Sequence, residues 1–333
     1  SVLEASAVAA EIGDAVLYDV KMIGGPDAAE ASGKPAICMS YVPMTTPDPG
    51  YPLPFFPLMQ MTFAEDRGAW INRATHLAGR LLRCFYLPHV QAWRRDRLNL
   101  KNGPWFPPIG SIAGRPAPRL HFLSRHIVSP ADRLDPDVQT LGFLYLDEAG
   151  DWEPSEALAA FLEAGPPPIY IGFGSMTAAD PARTRDIVLE GVRRAGVRAL
   201  IGKGWGALDH SLRDDKVFVI DYAPHQKLFP LTSATVHHGG AGTTGASLRA
   251  GKPTFVGAFS FDQPWWGARL KDLGVGPGAR WLRSLTAEGF ADALRDLAGR
   301  AEYQRNADAL AQKIAAENGV RDGVAAVTRL LAA

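Results

Sequence analysis

The sequence predicts an α/β protein whose second half is a doubly wound parallel sheet, and three observations carry that expectation. From residue 168 onward, short apolar runs alternate with helix-patterned segments separated by brief Gly and Pro punctuation. Residues 236–247 read Val-His-His-Gly-Gly-Ala-Gly-Thr-Thr-Gly-Ala-Ser, a strand end that breaks into glycines and opens a helix. The chain has 333 residues and 47% hydrophobic content, enough for two domains with separate cores.

The elements of the second half follow in order. Residues 168–172 read as a buried strand, followed by Phe173-Gly174-Ser175-Met176. Asp180 with Pro181 behind it is a helix start, with Asp at the N-cap and proline where no amide partner is needed. That helix runs towards Ala195 and Gly196. Strands follow at 197–201, 217–220 and 234–236, then a helix over 243–250. A strand at 253–256, a helix at 264–273 and a largely helical tail from 286 to 333 complete the half. A doubly wound sheet binds ligands at the carboxyl ends of its strands, which is where the glycine stretch falls.

The first half has fewer signals. Residues 15–18 and 36–41 read as strands, and helical periodicity covers roughly 70–98, with Pro88 expected to kink or break it. Ahead of that helix, residues 43–63 form a proline- and aromatic-rich loop that includes Pro52-Leu-Pro-Phe-Phe-Pro57. Strand and turn signals recur at 121–130 and 140–143. The polar and proline-rich stretch that follows sets the domain division: 1–147, a connection over 148–167, 168–318, and a C-terminal helix over 319–333 that packs back on the first domain.

Composition removes several classes of function. Thirty-five basic residues balance thirty-five acidic ones, so nothing favours nucleic acid as a partner. No apolar run reaches the length of a membrane-spanning helix and no signal peptide is visible, so a cytoplasmic location is expected. Cys38 and Cys84 are too few for a disulfide framework and read as two buried thiols. The run Arg94-Arg-Asp-Arg97 reads as a solvated helix face.

The glycine stretch has a physical use. Glycines allow close backbone approach to a ligand, and the free N–H groups of a helix N-terminus attract an anion. Two histidines and two threonines add side-chain donors, so a diphosphate group is the expected ligand. The plain alternative is a tight strand–helix connection with a buried histidine pair.

Five motifs in order resemble a known family: Gly172-Phe-Gly-Ser-Met176, Gly204-Trp-Gly206, Tyr222-Ala-Pro-His225, His237-His-Gly-Gly-Ala-Gly-Thr-Thr244 and Asp262-Gln-Pro264, with Gly274-Val-Gly-Pro277 behind them. Together they are similar to the sterol 3-β-glucosyltransferase branch of the UDP-glycosyltransferases. Gly142-Phe-Leu-Tyr-Leu-Asp147 and Asn72-Arg-Ala-Thr-His-Leu77 extend the resemblance over nearly the whole chain. It implies a GT-B fold: α/β, two facing Rossmann-like domains with parallel sheets, the second holding the donor. The family's opening strand and glycine-rich turn, which carry the acceptor-side base, have no counterpart before Asp14. The first domain is therefore expected to be incomplete, and the base, expected in the missing N-terminal segment, is unassigned.

What the resemblance implies for the site is a set of donor contacts. His238, with Gly240, Gly242 and Thr243, would stabilise charge on the departing diphosphate. Asp262 and Gln263 would hydrogen-bond sugar hydroxyls, with an N-cap role for Asp262 as the alternative. Ser175 would donate to a phosphate, or else cap the following helix. Tyr222 and Ala223 would hold the nucleobase, with Trp205 as a second candidate for its wall. His237 reads equally as ligand or structural residue. Trp265 and Trp266 are candidates for the sugar or acceptor cleft, with packing favoured for at least one.

The implied activity is an inverting transfer of a hexose, glucose by resemblance, from a UDP-sugar to a hydroxyl of a sterol, polyketide or other lipid-like acceptor. No metal and no cofactor beyond the donor substrate are expected. The loop over residues 51–63 suits a flat apolar acceptor, or peripheral contact with a membrane surface, or simple cover for the first domain's core. Two other readings stay open: a sugar-nucleotide epimerase of the same fold, and a nucleotide-sugar binding protein without transferase activity. Acceptor identity, UDP against dTDP and oligomeric state are not legible in the sequence.

Overall fold

The computed structural model describes residues 1–54, 66–106, 109–128, 133–146, 150–174, 180–204 and 215–332, except for the side chains of 82–84. The chain divides into two compact units, residues 1–144 with 317–333, and residues 145–316.

The first unit is built on a parallel sheet of four described strands: β1 (Val16–Asp19), β2 (Ala36–Ser40), β3 (Arg119–His121) and β4 (Val138–Thr140), in that spatial order. Helix α1 (Val2–Ile12) begins at an N-cap serine, with Ser1 Oγ accepting from Glu4 N–H. Its buried Ala7 and Ala10 pack against Ala28 of α2 (Gly25–Ser32) and Trp93 of α4 (Leu87–Asp96). On the sheet, Ile37 and Leu120 form a cluster with Phe122 and with Ala326 of the C-terminal helix α12 (Gly319–Ala332). Gly319 lets that helix begin directly against the carbonyls of Gly142 and Phe143.

The segment read as one helix over 70–98 is two helices. Helix α3 (Ala69–Gly79) tightens into a 3-10 helix over Arg80–Phe85 before α4 starts. Pro88 does not cause the break; it sits in the first turn of α4, where proline costs no hydrogen bond. Arg94 departs further from expectation. It is buried, its guanidinium 2.5 Å from Asp27 Oδ1 and 2.9 Å from Glu30 Oε2, while Nε donates to the Lys101 carbonyl. The sequence run offers no local acid that would explain this; both partners come from α2, more than sixty residues away.

The second unit holds six described parallel strands in the order β10-β9-β8-β5-β6-β7. They are β5 (Ile169–Gly172), β6 (Ala199–Gly202), β7 (Val217–Ile220), β8 (Ala234–His237), β9 (Thr254–Ala258) and β10 (Gly278–Trp281). Numbered within the unit this is 3-2-1-4-5-6, the order of the dinucleotide-binding sheet. Helix α6 (Pro181–Ala195) has the caps its sequence announces: Asp180 accepts from Arg183 N–H, and Gly196 closes the helix in the left-handed region at φ 72°. Apart from the edge strand β10, the strands are buried on both faces. Ile171, Val188, Val219, Val236 and Leu294, the last from α10 (Ala287–Gly299), share one cluster, while Leu158, Phe161 and Phe229 fill the opposite side. Leu158 and Phe161 belong to α5 (Glu156–Glu163), which lies inside the stretch read as a connection. Two separate α/β units with parallel sheets are the fold class the sequence implied; the second sheet is doubly wound, and the first has four described strands wound in one direction.

Candidate functional site

In a 3-2-1-4-5-6 sheet, the crevice opens where the winding direction reverses, here between β5 and β8. Gly172 ends β5 opposite His237, which ends β8. Everything that follows is placed by what leaves those two strand ends.

After β8 the chain turns sharply. Gly239 adopts φ 86°, and a Cβ there would lie 2.7 Å from Val256 and 3.1 Å from the Gln263 carbonyl. Only glycine fits both the left-handed backbone and the close approach. Helix α8 (Ala241–Arg249) begins two residues earlier than the sequence suggested, with Gly240 at its N-cap and no side chain capping it. Its first amides are therefore not engaged by a cap residue, and the positive end of the helix faces the crevice. Gly242 is exposed there, and Thr243 half-buried.

His238 is half-buried and sits over this turn. A Cβ on Gly240 would fall 2.5 Å from its Nε2, and one on Gly174, which follows β5, would fall 3.4 Å from its Cε1. The ring thus lies between the two loops that flank the switch point. Its Nδ1 is buried and has no hydrogen-bond partner among the described residues. Burial lowers its pKa below the ordinary histidine value, while the nearby Asp262 carboxylate pulls it back upward. Burial thus favours the uncharged imidazole, which can donate or accept a hydrogen bond.

His237 takes the structural of its two readings. It is fully buried, and its Nδ1 accepts from the Gly239 N–H at 3.0 Å, so it holds the glycine turn rather than facing a ligand. Burial, with His238 and His225 nearby, keeps it well below the usual pKa range. His225, at the start of α7 (His225–Leu228), stacks on Phe229 with ring centroids 4.4 Å apart and meets Tyr170 edge-on.

Asp262 and Gln263 open α9 (Gln263–Asp272), and both are buried. Asp262 does not use its carboxylate as an N-cap; its Oδ2 accepts from Trp266 Nε1 at 3.0 Å. Gln263 Oε1 accepts from the amides of Phe259 and Ser260, at 2.6 and 3.0 Å, and so fastens the loop leaving β9. The residue before the pair, Phe261, has φ 56° and an exposed ring, a backbone state that costs an aromatic residue energy and often marks a functional turn. Trp265 and Trp266 are both fully buried, so packing, favoured for at least one of them, holds for both and neither lines a cleft.

Tyr222, after β7, presents its ring to solvent at 78% exposure, and Ala223 behind it is half-buried. Ser175 and Trp205 lie outside the described residues. Gly204, just before Trp205, approaches the opposite loop so closely that a Cβ would stand 2.9 Å from the Gly174 carbonyl. One feature had no sequence signal: a buried triangle of hydroxyls ties α8 to its sheet. Thr235 on β8, Ser247 on α8 and Thr254 on β9 lie 2.6, 2.7 and 3.0 Å from one another. Only alternating Thr and Ser at strand and helix positions could have hinted at it. Among the described residues no group of three His, Cys, Asp or Glu is arranged to hold a metal ion.

The first unit carries a separate cavity of about 240 Å³ at the carboxyl side of β1 and β2. Val20, Met44, Leu53 and Ile109 give it apolar walls, and Lys21 and Asp27 supply the charged groups. Tyr18 forms part of the lining, its hydroxyl donating to the Gly110 carbonyl at 3.0 Å. Burial pushes that phenol far above its ordinary pKa, and pushes the Cys38 thiol up to about 12. The Tyr18 phenol is thus held uncharged in the wall, and apart from Lys21 and Asp27 the lining is largely apolar.

Residues 208–329 match the family model described as erythromycin biosynthesis protein CIII-like, C-terminal domain. The chain is 38% identical over 216 residues to sterol 3-beta-glucosyltransferase UGT80A2 of Arabidopsis thaliana, covering 64% of this chain and 34% of that protein. Against the sterol 3-beta-glucosyltransferase of Leptosphaeria maculans it is 37% identical over 256 residues, covering 73% of this chain and 17% of the relative. The chain therefore spans only about a third or less of these relatives' lengths. Among solved structures, the glycotransferase of kitacinnamycin superposes with TM-score 0.71 at 16% identity, covering 99% of this chain and 81% of that one. Glycosyltransferase VinC, solved in complex with dTDP, gives TM-score 0.64 at 18% identity, covering 99% and 75%. The chain is thus a homologue of the sterol 3-beta-glucosyltransferases over the residues matched, and its fold is that of the GT-B glycosyltransferases.

Proposed function

We propose that the chain acts in an inverting transfer of glucose from UDP-glucose to a hydroxyl of a lipid-like acceptor. The observation that carries this reading is the half-buried His238 ring, its Nδ1 without a partner among the described residues, seated beside the uncapped N-terminus of α8 at the switch point of the sheet. As the anomeric C–O bond breaks, negative charge grows on the diphosphate. Amides that already point at it, and an imidazole that can hydrogen-bond it, lower that barrier without having to reorganise.

In this reading Gly240, Gly242 and Thr243 surround the diphosphate, and Ser175 donates to a phosphate. Tyr222 stacks on the nucleobase beside Ala223, and Trp205 adds to its wall. With Gln263 Oε1 held by two backbone amides, its amide nitrogen is the group left to donate to a sugar hydroxyl. Asp262 is fixed beside it by Trp266. The acceptor's apolar part enters the cavity of the first unit, whose walls suit a lipid-like group. Displacement from the face opposite the departing diphosphate inverts the anomeric centre. The helix N-terminus supplies the positive potential that the departing group needs, so turnover is expected to persist in EDTA.

A thymidine diphosphate donor is the second reading, favoured by the structural likeness to a transferase solved with dTDP. One titration separates the two. Calorimetry with UDP, dTDP and UDP-glucose should show micromolar binding of one nucleotide and its loss or marked weakening in His238→Ala. Failure of a folded chain to bind either nucleotide would sink the donor site. Transfer assays with a sterol, read by the anomeric configuration of the product, then test acceptor class and inversion.

A further inference from the structure

Helix α3 is built inside out. The face turned into the first unit is polar: Asn72, Thr75 and His76 are buried, together with Gly79. Each of the three side chains is engaged. Asn72 Nδ2 donates to the Pro49 carbonyl and to Asp66 Oδ1, and its Oδ1 accepts from Arg67 N–H. Thr75 Oγ1 accepts from Leu53 N–H, and the His76 ring lies 3.3 Å from the Tyr51 carbonyl through Nε2. These bonds pin the loop before the helix, so the polar face cannot be turned outward without breaking all of them.

The outward face is apolar. Trp70 is 82% exposed, Leu77 53%, and in the 3-10 helix that follows Leu81 is 56% and Phe85 66% exposed. Trp70 and Leu77 lie on one side of the α-helix with the exposed Arg73 between them, and Leu81 and Phe85 continue the apolar surface in the 3-10 helix that follows. A soluble helix normally reverses this pattern, and a contiguous exposed apolar stripe marks a surface that meets something else.

Charge identifies the partner. Between Asp66 and Asp96 the sequence contains no carboxylate, while Arg73 is exposed within the stripe and Arg80, half-buried, follows α3. Aromatic and leucine side chains flanked by arginine are the chemistry of a helix that lies in the headgroup region of an anionic bilayer. The same segment is continuous with the cavity: Gly79 lines it from the inner side of α3, and Tyr86 lines it one residue after the 3-10 helix.

We propose that the Trp70–Leu77–Leu81–Phe85 stripe docks the first unit onto an anionic lipid surface, seating the apolar cavity's wall against the bilayer. The docking does not depend on the transferase reading, because it requires neither donor nor acceptor. It is tested by co-sedimentation of the full chain with phosphatidylcholine vesicles and with vesicles of mixed phosphatidylcholine and phosphatidylserine. Binding is expected to the mixed vesicles, weakening with salt, and to fall by about tenfold or more in a Leu77→Glu/Leu81→Glu double variant. Arg73→Glu/Arg80→Glu should weaken it as well. Val324→Glu, on the exposed side of α12, should leave it unchanged, and urea midpoints establish that each variant is folded. No binding of the folded wild-type chain to anionic vesicles overturns the proposal, as does binding that ignores the double variant. A dimer in light scattering that Leu77→Glu/Leu81→Glu dissociates would overturn it too, by giving the stripe to a second copy of the chain. UDP titration of the same variants, unaffected in either case, keeps the donor site separate.

Discussion

The Gly240 backbone lies directly beneath the His238 imidazole, with only 2.5 Å between Nε2 and the point where a Cβ would stand. A side chain at 240 must therefore displace the ring that the donor reading depends on. Gly240 itself has φ −68°, which any residue adopts, so the constraint is space rather than backbone conformation. Gly240→Ala is expected to fold with a stability loss of about 1–2 kcal/mol while UDP affinity falls by about tenfold or more. Calorimetry and urea denaturation on one preparation read both. Unchanged affinity would mean that the His238 ring position does not matter to the ligand.

The Arg94 ion pairs make a second prediction. Asp27 lines the first unit's cavity and is buried with Arg94 against it, so removing the cation leaves a carboxylate stranded in an apolar wall. Arg94→Met should destabilise by about 3 kcal/mol or more. Adding Asp27→Asn to it should recover part of that loss, because the more buried of the two carboxylates is then uncharged and only the more exposed Glu30 is left without its partner. Recovery fails if Arg94 acts mainly by packing its stem, and denaturant midpoints of the single and double variants decide between the two.

Why Arg94 escaped the sequence reading while α6 did not is instructive. Asp180, Pro181 and Gly196 act on amides within four residues of themselves, so helix start and stop are written locally. The partners of Arg94 are Asp27 and Glu30, and nothing adjacent to a charge run says whether an acid from another helix will meet it. The site divides in the same way. The glycine turn and α8 were legible because only a strand end, glycines and a helix start produce that pattern. Whether His237 or His238 faces the crevice depends on strand register: His237 closes β8 opposite Gly172 and is drawn into the sheet, and its neighbour is freed. Trp265 and Trp266 were undecidable locally, since an aromatic pair at a helix start suits a cleft or a core equally. The left-handed Phe261 has no sequence signal, because nothing about phenylalanine announces it.

Buried neutral histidines fix the direction of the pH dependence. Burial lowers His76 and His121 to about 4, His121 within 2.6 Å of Thr45 Oγ1, and lowers His225, His237 and His238 as well. Their folded pKa values lie below the unfolded value, so the unfolded chain binds protons first as pH falls. Their contribution to stability is therefore complete above about pH 6.5 and is lost on acidification. For His76 and His121 the loss runs at about 1.4 kcal/mol per pH unit each, between about pH 6.5 and 4. Urea midpoints at pH 7.5, 6, 5 and 4.5 should fall steadily, and His76→Gln should flatten the slope. A midpoint that held steady to pH 4.5 would contradict the assignment.

Phe261 is the last and most specific case, because its strain and its position are coupled. At φ 56° the phenylalanine Cβ crowds its own carbonyl, a cost of about 1–2 kcal/mol that glycine would not bear. The turn persists because Gln263 ties the amides of Phe259 and Ser260 and Trp266 holds Asp262, so the strained residue is clamped on both sides. Replacing it with glycine relieves the strain but also loosens the unfolded chain, which offsets part of the gain. Phe261→Gly should therefore leave stability within about 1 kcal/mol of wild type or slightly raised. If the exposed ring serves only the fold, UDP-glucose affinity will not change. If the strain is retained to present the ring beside Asp262 and Gln263, affinity for UDP-glucose should fall while affinity for UDP stays constant, since in the proposed donor site only the sugar reaches that turn. Titrating both ligands into the variant separates those outcomes.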